Sequence, residues 1–366
     1  MKVNTISLNS VRLNTIALNH IGEIRSGGGG SKPSPIPQWI REHVVFYYDV
    51  KKQGATNETL KESAYLQDLS GKGRRMKLNN FLFAEMSGVG GYNDNFSNWK
   101  ADSNNGVVKI ESDSSIVIQS VKIEYRGVLY QDSTKKTTLK CNITGITEEL
   151  KGKLIFRYTD AEGGKNITLE NGYFEFNSSE YEGLSGWYGF TSKQPIDNCN
   201  ITITQIPEYP GALVTDGVDD YGLVENLSSG VKMLFMTVNP IGDNVGKSYY
   251  AQSGMNRPFW VYVKINSIAY NNINPSGVTY IDGMLNKSIY CQELFNVKHT
   301  ITIVNGTVDS TNTTKPVFFA NEHHASTYSS RIAFYNSIAF DSIPTEADGF
   351  TEQELIDYVL TNIIGQ

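Results

Sequence analysis

The chain has 366 residues, enough for two globular domains with separate cores plus an accessory segment. Hydrophobic residues make up 39% and charged residues 19%, with 21 Tyr, 16 Phe and 33 Gly against 11 Pro, which excludes a disordered chain and favours a β-rich one. The net charge of -6, with no Lys/Arg block to offset it, excludes a nucleic-acid backbone as partner, and no apolar run of about 18 residues is present to form a membrane span.

In chain order, the first feature is an internal repeat. NTISL, NSVRL, NTIAL and NHIGE place Asn4, Asn9, Asn14 and Asn19 at the first position of successive pentads. Ile6, Val11, Ile16 and Ile21 hold the third position, and Leu8, Leu13 and Leu18 the fifth. Period five is neither the strand's two nor the helix's 3.6, and it fits short apolar alternation broken by a bend at Asn. Four pentads cannot bury both apolar rows alone, so residues 1–25 are expected to be an anchor and oligomerisation segment, ordered against other subunits or a partner. The continuous apolar stretch and cleavage site of a secretory signal are missing here. The expectation is synthesis in the cytoplasm and release by another route, such as lysis. Residues 26–37 (SGGGGSKPSPIP) read as a linker, flexible through Gly27–Gly30 and stiff and extended through the prolines.

From Gln38 onward nearly everything reads as strand. VVFYYDV (44–50) is apolar almost throughout, whereas SIVI (115–118), TLKCNITGI (138–146), KLIFRY (153–158), YFEF (173–176) and NITITQI (200–206) are short and mostly alternating. Turn residues recur every 8–12 positions, as in β-sandwiches. KMLFMTV (232–238), FWVYVKI (259–265), HTITIVN (299–305) and RIAFYNSIAF (331–340) continue the pattern. The one convincing helix is the last, with Thr351 as N-cap, Glu352 and Glu354 in the first turn, and an apolar stripe of Leu355, Val359 and Ile363. Cys141, Cys199 and Cys291 are too scattered for a disulfide framework or zinc site. At most Cys141 and Cys199 could pair, if their strands adjoin, and free thiols are the simpler expectation.

Three passages resemble parts of a LamG/concanavalin-A-like jelly roll. They are VVFYYDVKKQGATNETLKESAYLQDLSGKGRRMKLNNF (44–81), with its Asp68, Ser70, Gly71, Gly73 loop, ALVTDGVDDYGLVENL (212–227), and RIAFYNSIAFDSIPTEADGFTEQELIDYVL (331–360). The stretch 91–210 between the first two is too long for a loop and carries strands of its own. The expected fold class is therefore all-β: a jelly-roll sandwich built from residues 38–92 and 207–366, a second β-sandwich inserted at 93–206, the short pentad anchor, and one C-terminal helix. From about residue 40 onward this combination resembles structural proteins, of head- or tail-fibre type, of phages and prophages of gut Bacteroidales, including crAss-like phages. The resemblance implies a location on the virion surface and self-association as a homotrimer. It further implies attachment to capsid or tail proteins through residues 1–25 and adhesion to host cell-surface polysaccharide. Two alternatives stay open, a purely architectural virion component and a glycan depolymerase on the same fold.

A glycosidase would place alternating carboxylates on one strand, roughly 5–9 Å apart in space, and no E-x-D-x-x-E run occurs. Paired carboxylates occur at Asp219-Asp220, Asp94 and Asp102, and the closest strand candidate, Glu175, stands alone. Asp216-Gly217-Val218-Asp219-Asp220 reads as turn chemistry, with loop calcium as its alternative. His323-His324 would point to opposite faces of a strand, which disfavours one shared metal. No G-x-S-x-G motif or phosphate loop appears. No catalytic residue, metal or cofactor is assigned, and the expected role is non-enzymatic. For glycan contact, Trp187 and Tyr188 between Gly186 and Gly189 are the leading candidates, with Tyr92, Tyr249 and Tyr250 weaker ones; the competing reading places such aromatics in a core.

Overall fold

The computed structural model describes residues 34–227, 230–242, 248–252, 259–264, 267–270, 278–286, 295–304, 316–320 and 329–365. The pentad positions from Ile6 to Ile21, the Gly run, Cys291 and His323-His324 lie outside the described residues. The fold is predominantly β, in antiparallel sheets, with a helix at the C-terminus. Among the described residues no helix is long and apolar enough to cross a membrane.

The chain divides into two compact units, one of residues 1–83, 87–89 and 211–366, the other of 84–86 and 90–210. The sequence reading sets the boundaries a few residues away, at 92/93 and 206/207. Residues 207–210 belong with the inserted unit because Glu208 N and Tyr209 N donate to Gly91 O and Gly90 O.

In the first unit an eight-stranded sheet faces a seven-stranded one. The strand Ile332–Phe340 is the spine of the larger sheet. It pairs with Met233–Pro240 on one edge and with Val44–Asp49 and Leu213–Val214 on the other. Phe46, Tyr48, Leu234, Met236 and Phe334 point into the core shared with Leu78, Tyr250 and Phe318 of the second sheet. Tyr47, Met233, Phe235, Ile338 and Phe340 point the other way, under Trp39, Ile40, Leu355, Ile356 and Val359 of two helices. The larger sheet is therefore buried on both faces in this region, which is why VVFYYD reads as a continuous run.

The first of those helices, Pro35–His43, corrects the expectation of an extended proline segment. Pro35 and Pro37 lie in the first turn, where a missing N–H and a fixed φ are tolerated, and the Ser34 hydroxyl accepts from Ile36 N. Burial of Ile36, Pro37, Trp39 and Ile40 stabilises the turn in place. A second short helix, Asn57–Ser63, is capped by Thr56 and Thr59 and was hidden by its length: Leu60 is the one apolar side chain that it buries. The C-terminal helix Glu352–Tyr358 follows the expected Thr351 cap and continues as a π-helical turn over Val359–Ile364, with Leu355, Val359 and Ile363 buried.

The inserted unit is a sandwich of two five-stranded antiparallel sheets. One runs Gly163–Thr168, Leu154–Asp160, Trp187–Ser192, Leu129–Asp132, Lys100–Ala101. The other runs Gly172–Asn177, Thr138–Thr144, Ile201–Gln205, Ser115–Val121, Gly106–Ser112. Phe156 touches Phe174 and Phe176 across the layers, with ring centroids 5.2 and 4.7 Å apart, and Ile116, Ile118, Cys141, Ile203 and Phe190 complete the core. Cys141 and Cys199 are free thiols.

Candidate functional site

Alternation along Trp187–Ser192 decides the fate of the two leading aromatics. Tyr188 and Phe190 face inward and are fully buried, and the Tyr188 hydroxyl donates to Lys135 O at 2.9 Å. Burial raises its pKa well above the ordinary phenol value. Tyr188 is a core residue, which corrects its assignment to glycan contact, and Tyr249 and Tyr250 are buried as well. Trp187, Gly189 and Thr191 lie on the opposite face, where Trp187 is half-buried and Thr191 is fully covered.

Directly opposed residues of antiparallel strands share a face. The register Lys100↔Tyr130, Tyr130↔Gly189, Gly189↔Arg157 and Arg157↔Asn166 therefore lays one residue from each of five strands in a row across the outer face. Trp187 and Asp132 form the next pair in register. The half-buried indole of Trp187 lies 5.7 Å from the Tyr130 ring, centroid to centroid. Both reach over Gly127, where a Cβ would sit 2.9 Å from Tyr130 Cδ1 and 3.1 Å from Trp187 Cζ3. Glycine at 127 makes the room that these two rings occupy.

On the other side of Gly189 the guanidinium of Arg157 occupies a similar cradle over Gly164, whose Cβ would meet Nη2 at 2.6 Å. Arg157 Nη1 donates to Asn166 Oδ1 at 3.0 Å, and its guanidinium carbon lies 5.3 Å from the Tyr125 ring centroid. The loop carrying Tyr125 is tied down by Tyr125 N to Ser192 O and by the Thr191 hydroxyl to Arg126 O. Asp132 accepts from Thr134 N and Thr134 Oγ1 at 2.9 and 2.8 Å, and these two bonds hold its carboxyl below the ordinary carboxylate range. Chemically this face offers two half-buried aromatic rings, inclined at 59° to each other, flanked by fixed polar and cationic groups.

Other sequence candidates are accounted for locally. Glu175, on the exposed face of the opposite sheet, accepts from the Tyr173 hydroxyl at 2.5 Å and stands across from Lys140, which is paired with Glu208 at 2.8 Å. Asp102 organises its own turn by accepting from Asn104 N and Asn105 Nδ2. Carboxylate oxygens of Asp216, Asp219 and Asp220 lie within 4.8 Å of one another. The turn chemistry is explicit there: Val218 N donates to Asp216 Oδ1, Asp216 N and Ser87 Oγ donate to the two oxygens of Asp220, and Gly217 has φ of 77°. Burial pushes the Asp220 carboxyl up to about 7.

Sequence reasoning found Trp187 through its flanking glycines but missed Tyr130, Arg157 and Asn166. Each sits on a different strand, and only the pairing register brings them together. Compared with known protein families, curated proteins and solved structures, the chain matches none.

Proposed function

We propose that this protein is a non-enzymatic virion surface component, a head or tail fibre or decoration, that binds host surface glycan through the Trp187 face of its inserted sandwich. The observation that carries this reading is the pair of outward rings, Trp187 and Tyr130, seated over Gly127 on a rigid sheet. An aromatic plane beside fixed hydrogen-bonding groups is the surface against which a sugar's apolar face stacks. The virion setting rests on the jelly-roll-like passages of the first unit and their order. In it, residues 1–25 join other virion proteins and three copies assemble. Asp132, the carboxylate beside Trp187, is bonded by Thr134 and ionised, which suits orientation of hydroxyls rather than proton donation.

Purified protein should be retained on host surface polysaccharide, and Trp187→Ala should weaken retention roughly two- to tenfold, the loss expected for one stacking contact. Particles carrying many copies should gain a further factor of about 10²–10⁴ from linked sites. Undiminished adsorption of particles lacking the protein would favour the architectural alternative.

A further inference from the structure

We infer that the glycan bound by this face is acidic, with Arg157 receiving a sugar carboxylate; the inference rests on the glycan-binding reading above. In the inserted unit, Lys109, Lys135, Lys140, Lys151 and Lys165 each have a carboxylate partner within 3.1 Å. Among the described residues no carboxylate pairs with Arg157, nor with Lys100, Lys122, Arg126, Lys136, Lys153 or Lys193, so what singles out Arg157 is the way its guanidinium is held. Its hydrogen-bond partner is the neutral amide of Asn166, its guanidinium lies by the Tyr125 ring, and the missing side chain of Gly164 leaves it room. Lys193, at the same end of the face, likewise bonds a hydroxyl, Thr168 Oγ1 at 3.2 Å. In a chain of net charge -6, this end of one sheet presents cations left uncompensated by carboxylates.

The guanidinium is also preorganised. Asn166 fixes one nitrogen, Tyr125 covers it, and Gly164 leaves the space in which it lies. A planar fork held this way suits bidentate recognition of a carboxylate, which a lysine ammonium does not reproduce. Arg157 and Tyr130 lie two strand spacings apart across Gly189, roughly 10 Å at about 4.8 Å per spacing. That span lets one sugar stack on the aromatic pair while the carboxylate of a neighbouring sugar reaches Arg157.

The test uses the full chain and polygalacturonate, alginate and polysialic acid, each native and after carboxyl reduction. Wild-type protein should be retained by at least one native polymer about tenfold more strongly than by its reduced form, the factor expected of a charge-assisted hydrogen-bonded contact. Arg157→Gln should erase that difference, Arg157→Lys should restore it only in part, and Trp187→Ala should weaken retention of both forms. Far-ultraviolet circular dichroism unchanged from wild type shows that each variant is folded. Equal retention of native and reduced polymers, still lowered by Trp187→Ala, would overturn the acidic preference and leave the glycan reading standing. A native-polymer preference that survives Arg157→Gln would overturn the role of Arg157. Retention of none of the six, with or without Trp187→Ala, would overturn both readings.

Discussion

The two units treat the outer faces of their sheets in opposite ways. In the first unit, the large sheet's outer face is roofed by the Pro35–His43 and C-terminal helices, and its residues are Tyr47, Phe235, Ile338 and Phe340. In the inserted unit, the outer faces carry Trp187, Tyr130, Arg157 and Asn166 on one sheet and a 62% exposed Tyr173 with Glu175 and Lys140 on the other. A sheet roofed by helices has its aromatics committed to packing, whereas a sheet without a helical roof can offer them to a ligand. In the proposed function the first unit serves as scaffold and the second as display.

Two tryptophans make the comparison breakable. Trp39 is 4% exposed and packs on Phe340 and Phe350 with ring centroids 5.4 and 5.9 Å apart. Trp39→Ala should destabilise the first unit by about 3–5 kcal/mol, as large-to-small core changes do, and leave glycan retention by the folded protein unchanged. Denaturant unfolding checks the first part and retention below the transition the second.

A smaller effect is expected inside the inserted unit. The side chain of Asp94 is fully buried, and its Oδ1 accepts from Lys135 Nζ at 3.1 Å and from Asn95 N. Lys135→Ala leaves that carboxylate without its cation and should cost about 1.5–3 kcal/mol, the range for hydrogen bonds to charged groups. The transition of the inserted unit should move in denaturant while that of the first unit stays in place.

Asp220 gives a pH signature confined to the first unit. Its folded pKa of about 7 lies above the unfolded value of 3.8, so the folded state holds the proton more tightly. This contribution to stability is complete below pH 3.8 and is lost as pH rises through about 7. Carboxyl NMR titration should place the Asp220 midpoint near 7, and first-unit stability should decline across that window. A midpoint near 4 would contradict the account. The smallest stability change is predicted for Trp187→Ala, less than about 1 kcal/mol, because a half-buried surface ring leaves little cavity.

What the sequence reveals follows the same division. Strands buried on one face, such as Ser115–Val121 and Thr138–Thr144, alternate visibly, and Leu355, Val359 and Ile363 mark the last helix. The Pro35–His43 helix was obscured because prolines read as extended chain until Trp39 and Ile40 are known to have a sheet to cover. Within Trp187–Ser192, alternation puts Tyr188 on the same inner face as Phe190, a signal weaker in sequence than the flanking glycines. Arg157 and Tyr130 carry no local signal, since their neighbourhood is created by long-range register.

The most direct measurement is the indole N–H spectrum of the intact chain during titration with an acidic oligosaccharide. The display account predicts that the Trp187 peak, assigned through Trp187→Ala, shifts progressively and saturates, while the buried Trp39 and Trp99 peaks stay fixed. A saturable shift of Trp39 or Trp99 with Trp187 unmoved would place any binding elsewhere and contradict the central claim.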